Sequence, residues 1–315
     1  MFTFAIVLYK IKMKDDNIRQ DSLKAWVLAS RPKTLTSAAV PVMIGTALAF
    51  KDSAEYVEGA FNWIPALLSL LFAFIMQIDA NFINDFYDFA KGTDNAETRL
   101  GPRRACAQGW VKLDSMKHAI ALTTCIACVI GLPLIFYGGM EMLLIGLLCV
   151  VFCFLYTTHL SYLGLGDLLV IVFFGIVPVC ICYYIQLHTF TWEVFAASVA
   201  CGIVIDGLLI VNNYRDRDTD KEAGKNTLIV KIGARNGRLL YFFTGIAAIL
   251  IGAIFWANGH ILAFALPVIY LVFHLITYLK IVKINSGKAL NMCLGETARN
   301  IFIYGICVTL GILLS

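Results

Sequence analysis

The 315-residue chain is 60% hydrophobic and only 15% charged, with a mean hydropathy of +0.79. Soluble domains hold about 25% charged residues, so secreted, disordered and soluble-enzyme classes fall away and an integral membrane protein remains. A formal charge of +4 is too small and too dispersed for a nucleic-acid partner, and fits membrane orientation better.

Residues 1–21 form an N-terminal segment. Its first nine residues are apolar but too short to span, and no small-residue cleavage site follows them. Two readings stay open: Met13 as the true start, which makes 1–12 an artefact, or an interfacial anchor. Residues 22–31 (SLKAWVLASR) suit a short helix lying at the interface. A bilayer core about 30 Å thick needs roughly 20 apolar residues per helix. Nine tracts meet this or come close, at 34–50, 63–84, 117–137, 140–159, 167–187, 193–213, 239–257, 261–279 and 298–314. Backbone groups in hydrocarbon must bond within their own segment, and no period-2 alternation suggests a barrel. The expected fold is therefore all-α and polytopic, a bundle of nine transmembrane helices forming one domain over 22–315.

The basic residues orient it. All but Lys51 of the 25 Lys and Arg fall before span 1, between spans 2 and 3, between spans 6 and 7, or around the connection from span 8 to span 9. Lys and Arg at span ends stay on the cytoplasmic side. The N-terminus is thus expected in the cytoplasm and the C-terminus outside. The ten cysteines include pairs inside apolar tracts (Cys125 and Cys128, Cys149 and Cys153, Cys180 and Cys182), where a thiol serves as a small packing residue.

Two long basic connections begin with Asn and Asp clusters at a span end. The first reads Asn81-Phe-Ile-Asn84-Asp85-Phe-Tyr-Asp88-Phe-Ala-Lys91-Gly-Thr-Asp94, the second Asn212-Asn213-Tyr-Arg215-Asp216-Arg-Asp218-Thr-Asp220-Lys221. At 100° per residue Asn81, Asp85 and Asp88 share a helix face, as do Asn213, Asp216 and Asp220. Carboxylates stacked at membrane depth cost about 2.5–3.5 kcal/mol each and need a partner. Hard oxygen donors suit Mg2+, which takes one or two carboxylates and completes its shell with water and substrate phosphate. Lys91, Arg103, Arg104, Arg215, Lys221 and Lys225 supply more positive charge than the aspartates need, and guanidinium forks match phosphate oxygens. The strings N-D-F-Y-D and N-N-Y-R-D align without gaps, a hint of duplication.

These motifs resemble those of the UbiA superfamily of intramembrane aromatic prenyltransferases, over nearly all of 22–315. R-L-G-P-R-R-A (99–105), Y-L-G-L-G-D (162–167), F-F-G (173–175), Y-Y-I-Q (183–186) and N-N-Y-R-D-R-D-T-D-K-E-A-G-K-N-T-L (212–228) are similar to the branch acting on 1,4-dihydroxy-2-naphthoate in menaquinone synthesis. The resemblance implies two Mg2+ bridging aspartates to polyprenyl diphosphate, with Asn84, Asp85, Asp88, Asp94, Asn213, Asp216 and Asp220 as ligands and the four aspartates Asp85, Asp88, Asp216 and Asp220 as the catalytic set. It implies Lys91, Arg103, Arg104, Arg215, Lys221 and Lys225 on the diphosphate. Ionisation then gives an allylic cation captured by the aromatic carbon that carries the carboxylate, so that diphosphate and carbon dioxide leave and demethylmenaquinone remains. It places the enzyme in a bacterial cytoplasmic membrane with its site facing the cytoplasm, where a chain of tens of carbons is confined at about 0.8 kcal/mol per CH2. The third Asp position of the superfamily's first motif falls on Gly92, which moves that role to Asp94. A Tyr-x-x-x-Lys motif is incomplete, since Tyr156 is followed by no Lys.

Among the remaining polar residues, Asp206 shares the face of Asn213 and, with Tyr156, is expected at the substrate; Tyr156, His159 and Asp206 are the candidates for the base. Asp79 points elsewhere and reads as a packing residue, and Asp167 as an N-cap of span 5 with a site role as the alternative. No histidine pair has metal spacing, and Gly164-Leu-Gly166 lacks the strand and third glycine of a dinucleotide site. Two rivals stand beside the main reading. One is the same fold with another acceptor, 4-hydroxybenzoate or homogentisate; the other is a cation-coupled transporter, which would put its acids near the bilayer midplane on broken helices.

Overall fold

The structure, a computed structural model, describes residues 18–54, 61–92 and 99–315. Among them nine helices are long and apolar enough to cross a membrane: α1 Leu23–Ser53, α2 Trp63–Ala90, α3 Leu113–Gly138, α4 Glu141–Leu160, α5 Gly166–Leu187, α6 Trp192–Glu222, α7 Leu228–Ala257, α8 Ile261–Ile284 and α9 Leu290–Leu314. Eight contain one of the nine apolar tracts whole and α4 all but Met140 of its tract, and the protein is an integral multi-pass membrane protein.

Helix ends depart from the hydropathy boundaries where polar residues continue a helix. The 31 residues of α6, at 1.5 Å per residue, are about 46 Å long, so α6 runs well past the hydrocarbon. The second acidic motif is therefore helical almost to its end rather than a loop. The 28 residues of α2 likewise carry the first motif to Ala90. Helix α7 begins at Leu228 under a Thr227 cap and is interrupted at Gly233 (φ 79°, ψ 168°), ahead of the expected start.

The short helix expected at 22–31 is present as Leu23–Ala29, capped by the Ser22 hydroxyl. It is docked rather than lying free: Ala25 and Ala29 are buried in a cluster with Phe82, Ile83 and Met116. Arg31 then takes a left-handed conformation (φ 48°), and the chain turns through Pro32–Thr34 into Leu35–Ser53.

The packed centre is α6, flanked by α5, α7 and α9, with its middle buried residue after residue. Small residues permit the closest approach: a Cβ placed on Gly175 would lie 2.5 Å from the Gly202 Cα and the Ser198 carbonyl oxygen. Helices that pack without a hydrophobic drive between them rely on such close backbone contact. Two stretches are π-helical, Tyr156–Leu160 closing α4 and Val172–Ile176 within α5, and such turns recur at functional sites. The ten cysteines are all free; of the three pairs in apolar tracts, Cys180 and Cys182 are buried, Cys149 and Cys153 half-buried, and Cys125 and Cys128 exposed.

Candidate functional site

Helices α1 to α6 enclose a cavity of about 690 Å3. Its deeper walls are apolar, with Phe72, Met76, Leu132, Met142, Phe173 and Ile181 among them, while Arg31, Asn84, Asp88, Arg99, Arg104, Asn212, Asn213 and Lys225 gather at one end. A charged mouth over a hydrocarbon-like interior suits an amphiphile with an anionic head.

The C-terminal turns of α2 supply the first group. Asn84 holds its amide oxygen toward the Thr157 hydroxyl at 2.8 Å. One turn on, Asp88 pairs with Arg104 at 2.9 Å. Asp85, expected beside them, turns away. It is fully buried, accepts the backbone N–H groups of Ala105 (2.8 Å) and Cys106 (3.1 Å), and does not line the cavity. Asn81 is also structural, donating to the Ser30 carbonyl at 3.0 Å and the Thr34 hydroxyl at 2.9 Å. Of the three residues expected on one face, Asn81 and Asp85 thus meet the neighbouring segments, while Asp88 with Asn84, four residues apart, faces the cavity. Asp94 lies outside the described residues.

The last turns of α6 supply the second group. Asn212 and Asn213 line the cavity; Asp216 and Asp220 follow one and two turns on, outside its lining. Asp220 is within electrostatic range of both Asp216 and Asp88, so the ends of the two motifs lie near each other beside the mouth. Its own cation, Lys225, stands 3.8 Å away.

The expected phosphate cations divide. Arg104 and Lys225 line the cavity, and Lys225 stands 5.8 Å from the Tyr162 ring. Lys91 donates to the Thr158 carbonyl at 2.7 Å and sits 4.4 Å from the centre of the same ring, but is exposed and outside the lining. Lys221 and Arg103 are exposed and do not line the cavity. Arg215, expected on phosphate, is instead internal: it is 1% exposed, with its guanidinium on Asp216 at 2.8 and 2.5 Å, Asn212 at 2.8 Å and Asn291 at 2.9 Å.

Tyr156 lines the cavity from the π-turn, within electrostatic range of Asp88, Asp167 and Asp206. Asp167 does not cap α5. The cap position is Leu165, and Asp167 lines the cavity with a buried Oδ1 that has no hydrogen-bond partner. Asp206 is 4% exposed, also with an unpartnered Oδ1, and does not line the cavity, although it lies within electrostatic range of Tyr156 and Asp167, which do. His159 is exposed against the Thr158 hydroxyl, outside the lining. Asp79 is a packing residue, accepting from Thr123 at 2.5 Å and Thr124 at 2.8 Å.

Could these groups hold Mg2+? The donors facing the mouth are amide and carboxylate oxygens at four-residue spacing, the hard set that Mg2+ selects. Among the described residues no three His, Cys, Asp or Glu side chains come close enough to hold an ion alone. An ion held by these oxygens would complete its shell with water and a phosphate-bearing ligand.

The sequence profile of the UbiA prenyltransferase family matches residues 38–306. The chain belongs to that family. It is 36% identical over 224 residues to the 1,4-dihydroxy-2-naphthoate octaprenyltransferase of Escherichia coli (strain K12), covering 68% of this chain and 70% of that one. It is 32% identical over 273 residues to the protein of the same name from Haemophilus influenzae, covering 82% and 87%. Among solved structures, the apo UbiA homolog from Aeropyrum pernix K1 shares the fold with a TM-score of 0.66 at 15% identity, covering 90% of this chain and 98% of that one. The UbiA homolog from Archaeoglobus fulgidus bound to DMAPP and Mg2+ matches at 0.58 and 15% identity over 90% and 98%.

Against this UbiA-family site, sequence reasoning missed Arg31 and Arg99, which line the cavity but read as orientation charges, and Asn212, passed over for its neighbour. Arg31 carried one local signal, an Arg-Pro step, which breaks the helix and allows the side chain to enter the mouth.

Proposed function

We propose that this UbiA-family prenyltransferase moves a polyprenyl group from polyprenyl diphosphate to 1,4-dihydroxy-2-naphthoate. The observation that carries the acceptor is the identity, at 32–36%, to relatives named for that reaction across two thirds or more of the chain. Asn84, Asp88, Asn213, Asp216 and Asp220 would hold Mg2+, with Asp94 a further ligand on sequence grounds and Asp85 set apart as an anchor of the 99–106 segment. Bound Mg2+ neutralises the diphosphate and favours its departure as an anion. Arg31, Arg99, Arg104 and Lys225 face that headgroup and take up charge as the C–O bond breaks. The apolar walls receive the isoprenoid chain and keep water from the allylic cation, and Tyr156, Phe173 and Phe174 offer ring faces to it. The ring carbon that bears the carboxylate forms the new C–C bond. Carbon dioxide then leaves its bonding pair on the ring, and the product departs as the quinol of demethylmenaquinone. A phenolic proton lost on attack returns to oxygen after decarboxylation, so the site needs a local acceptor; Tyr156 and Asp167 border the cavity where that exchange occurs.

The arrangement of Lys and Arg supports a mouth facing the cytoplasm of a bacterial cell, with residues 22–315 working as one unit in its cytoplasmic membrane. The test is purified protein given Mg2+, a polyprenyl diphosphate and equimolar 1,4-dihydroxy-2-naphthoate, 4-hydroxybenzoate and homogentisate. The naphthoate product should dominate by mass; a dominant benzoate or homogentisate product overturns the acceptor.

A further inference from the structure

Asn291 lies at the start of α9, outside both acidic motifs, yet its side chain joins them. Its Nδ2 donates to the Leu100 carbonyl oxygen at 2.8 Å, and its Oδ1 accepts from Arg215 Nη1 at 2.9 Å. Arg215 in turn grips Asp216 with two N–H groups and Asn212 with a third. The 99–106 segment sits directly on this assembly, since a Cβ on Gly101 would lie 2.6 Å from Arg215 Nη2. That same segment delivers Arg104 to Asp88 and is pinned beneath by Asp85.

We infer that Asn291 is a positioning residue for the reaction: by tying the backbone of the 99–106 segment to the Arg215 clamp, it fixes Asp216 of the second motif and Arg104, the partner of Asp88 in the first, in a single frame. An amide is the side chain that does this. One end must donate to a carbonyl and the other accept from a guanidinium, and neither a carboxylate nor an amine offers both. Held this way, Arg215 stays off the diphosphate, and Asp216 presents its remaining lone pairs in a fixed direction. The inference rests on Asp216 and Asp88 serving the metal-diphosphate head proposed above.

Asn291→Leu and Asn291→Asp, made in the full chain in detergent, are compared with wild type by two measurements. One is the Mg2+ concentration giving half-maximal product formation; the other is the rate of trypsin cleavage at Arg99, Arg103 and Arg104 without substrate. A lost hydrogen bond to a charged group corresponds to about a tenfold change. In Asn291→Leu the Mg2+ requirement should rise about tenfold, with a smaller fall in kcat at saturating Mg2+, and cleavage should accelerate about tenfold. Asn291→Asp keeps an acceptor for Arg215 and loses only the tether, so cleavage should rise as in Asn291→Leu while the Mg2+ requirement rises less than in Asn291→Leu. If Asn291→Leu is not recovered folded, Asn291→Ala, which also lacks donor and acceptor, carries the same expectation. Wild-type cleavage in Asn291→Leu, or a fall in kcat with an unchanged Mg2+ requirement, overturns the inference. The proteolysis arm needs no substrate, so a wild-type protein inactive on the naphthoate would refute the proposed acceptor and leave the tether to be judged by cleavage.

Discussion

The two aspartates of Asn84-Asp85-Phe-Tyr-Asp88 should fail in opposite ways when altered. Asp85 is fully buried and holds two backbone N–H groups at 2.8 and 3.1 Å. Hydrogen bonds to a charged acceptor contribute about 1.5–3 kcal/mol each. Asp85→Asn can keep one such bond at neutral strength, but turns an amide N–H toward the other donor. A loss of about 3 kcal/mol follows, which at roughly 2–4 °C per kcal/mol lowers the unfolding midpoint by about 6–12 °C. Activity should fall only in part at a temperature where the variant remains folded, and donor KM should rise because Arg104 rides on the same segment. Asp88→Asn keeps the fold and faces the cavity, so its midpoint should stay within about 2 °C while turnover collapses. The assay is thermal unfolding in detergent paired with initial rates on the same samples. Complete inactivity of Asp85→Asn at an unchanged midpoint would refute the anchoring role and return Asp85 to the metal.

Further outcomes follow from the same geometry. Asp88→Ala and Asp216→Ala should each reduce kcat by about 10³-fold, equivalent to roughly 4 kcal/mol of lost charge stabilisation, with helical content by circular dichroism unchanged; EDTA should abolish wild-type turnover, and full activity in EDTA would exclude the metal. Lys225→Ala should raise donor KM by about 10–100-fold, as expected for one charged phosphate contact of roughly 1.5–3 kcal/mol, with kcat largely recovered at high donor and acceptor preference unaltered; a switch in acceptor would place Lys225 on the other substrate. A membrane-impermeant thiol reagent should label Lys221→Cys only from the cytoplasmic side and Gly259→Cys only from outside; both from one side would contradict the orientation.

The nine helices were legible because hydrocarbon leaves the backbone no other way to satisfy itself, and that constraint writes long apolar tracts directly into the chain. Their ends were less legible, because a helix that leaves the bilayer in polar company, as α6 does through Asp216 and Asp220, loses its hydropathy signal while keeping its hydrogen bonds. The same blindness affected the site. Helical periodicity placed Asp85 and Asp88 on a common face, but a face some 100° wide cannot say which carboxylate meets a folded-back segment and which meets the cavity. Arg215 looked like any motif cation because its partner Asn291 is 76 residues away. Arg31 was hidden among orientation charges, and only the left-handed turn before Pro32 carries it inward. The Tyr-Tyr-Ile-Gln string has a structural meaning: Tyr183 bonds Asp52 at 2.7 Å and Gln186 bonds the backbone of Asn62 at 2.7 and 3.2 Å, joining α5 to the far ends of α1 and α2.

The most direct measurement supplies 1,4-dihydroxy-2-naphthoate labelled with 14C in its carboxylate, together with Mg2+ and a polyprenyl diphosphate, and counts labelled carbon dioxide against diphosphate released. Attack at the carboxylate-bearing carbon predicts one labelled carbon dioxide for each diphosphate and a prenylated product free of label. Diphosphate released without labelled carbon dioxide, or a prenylated product that retains the label, would contradict the proposed reaction.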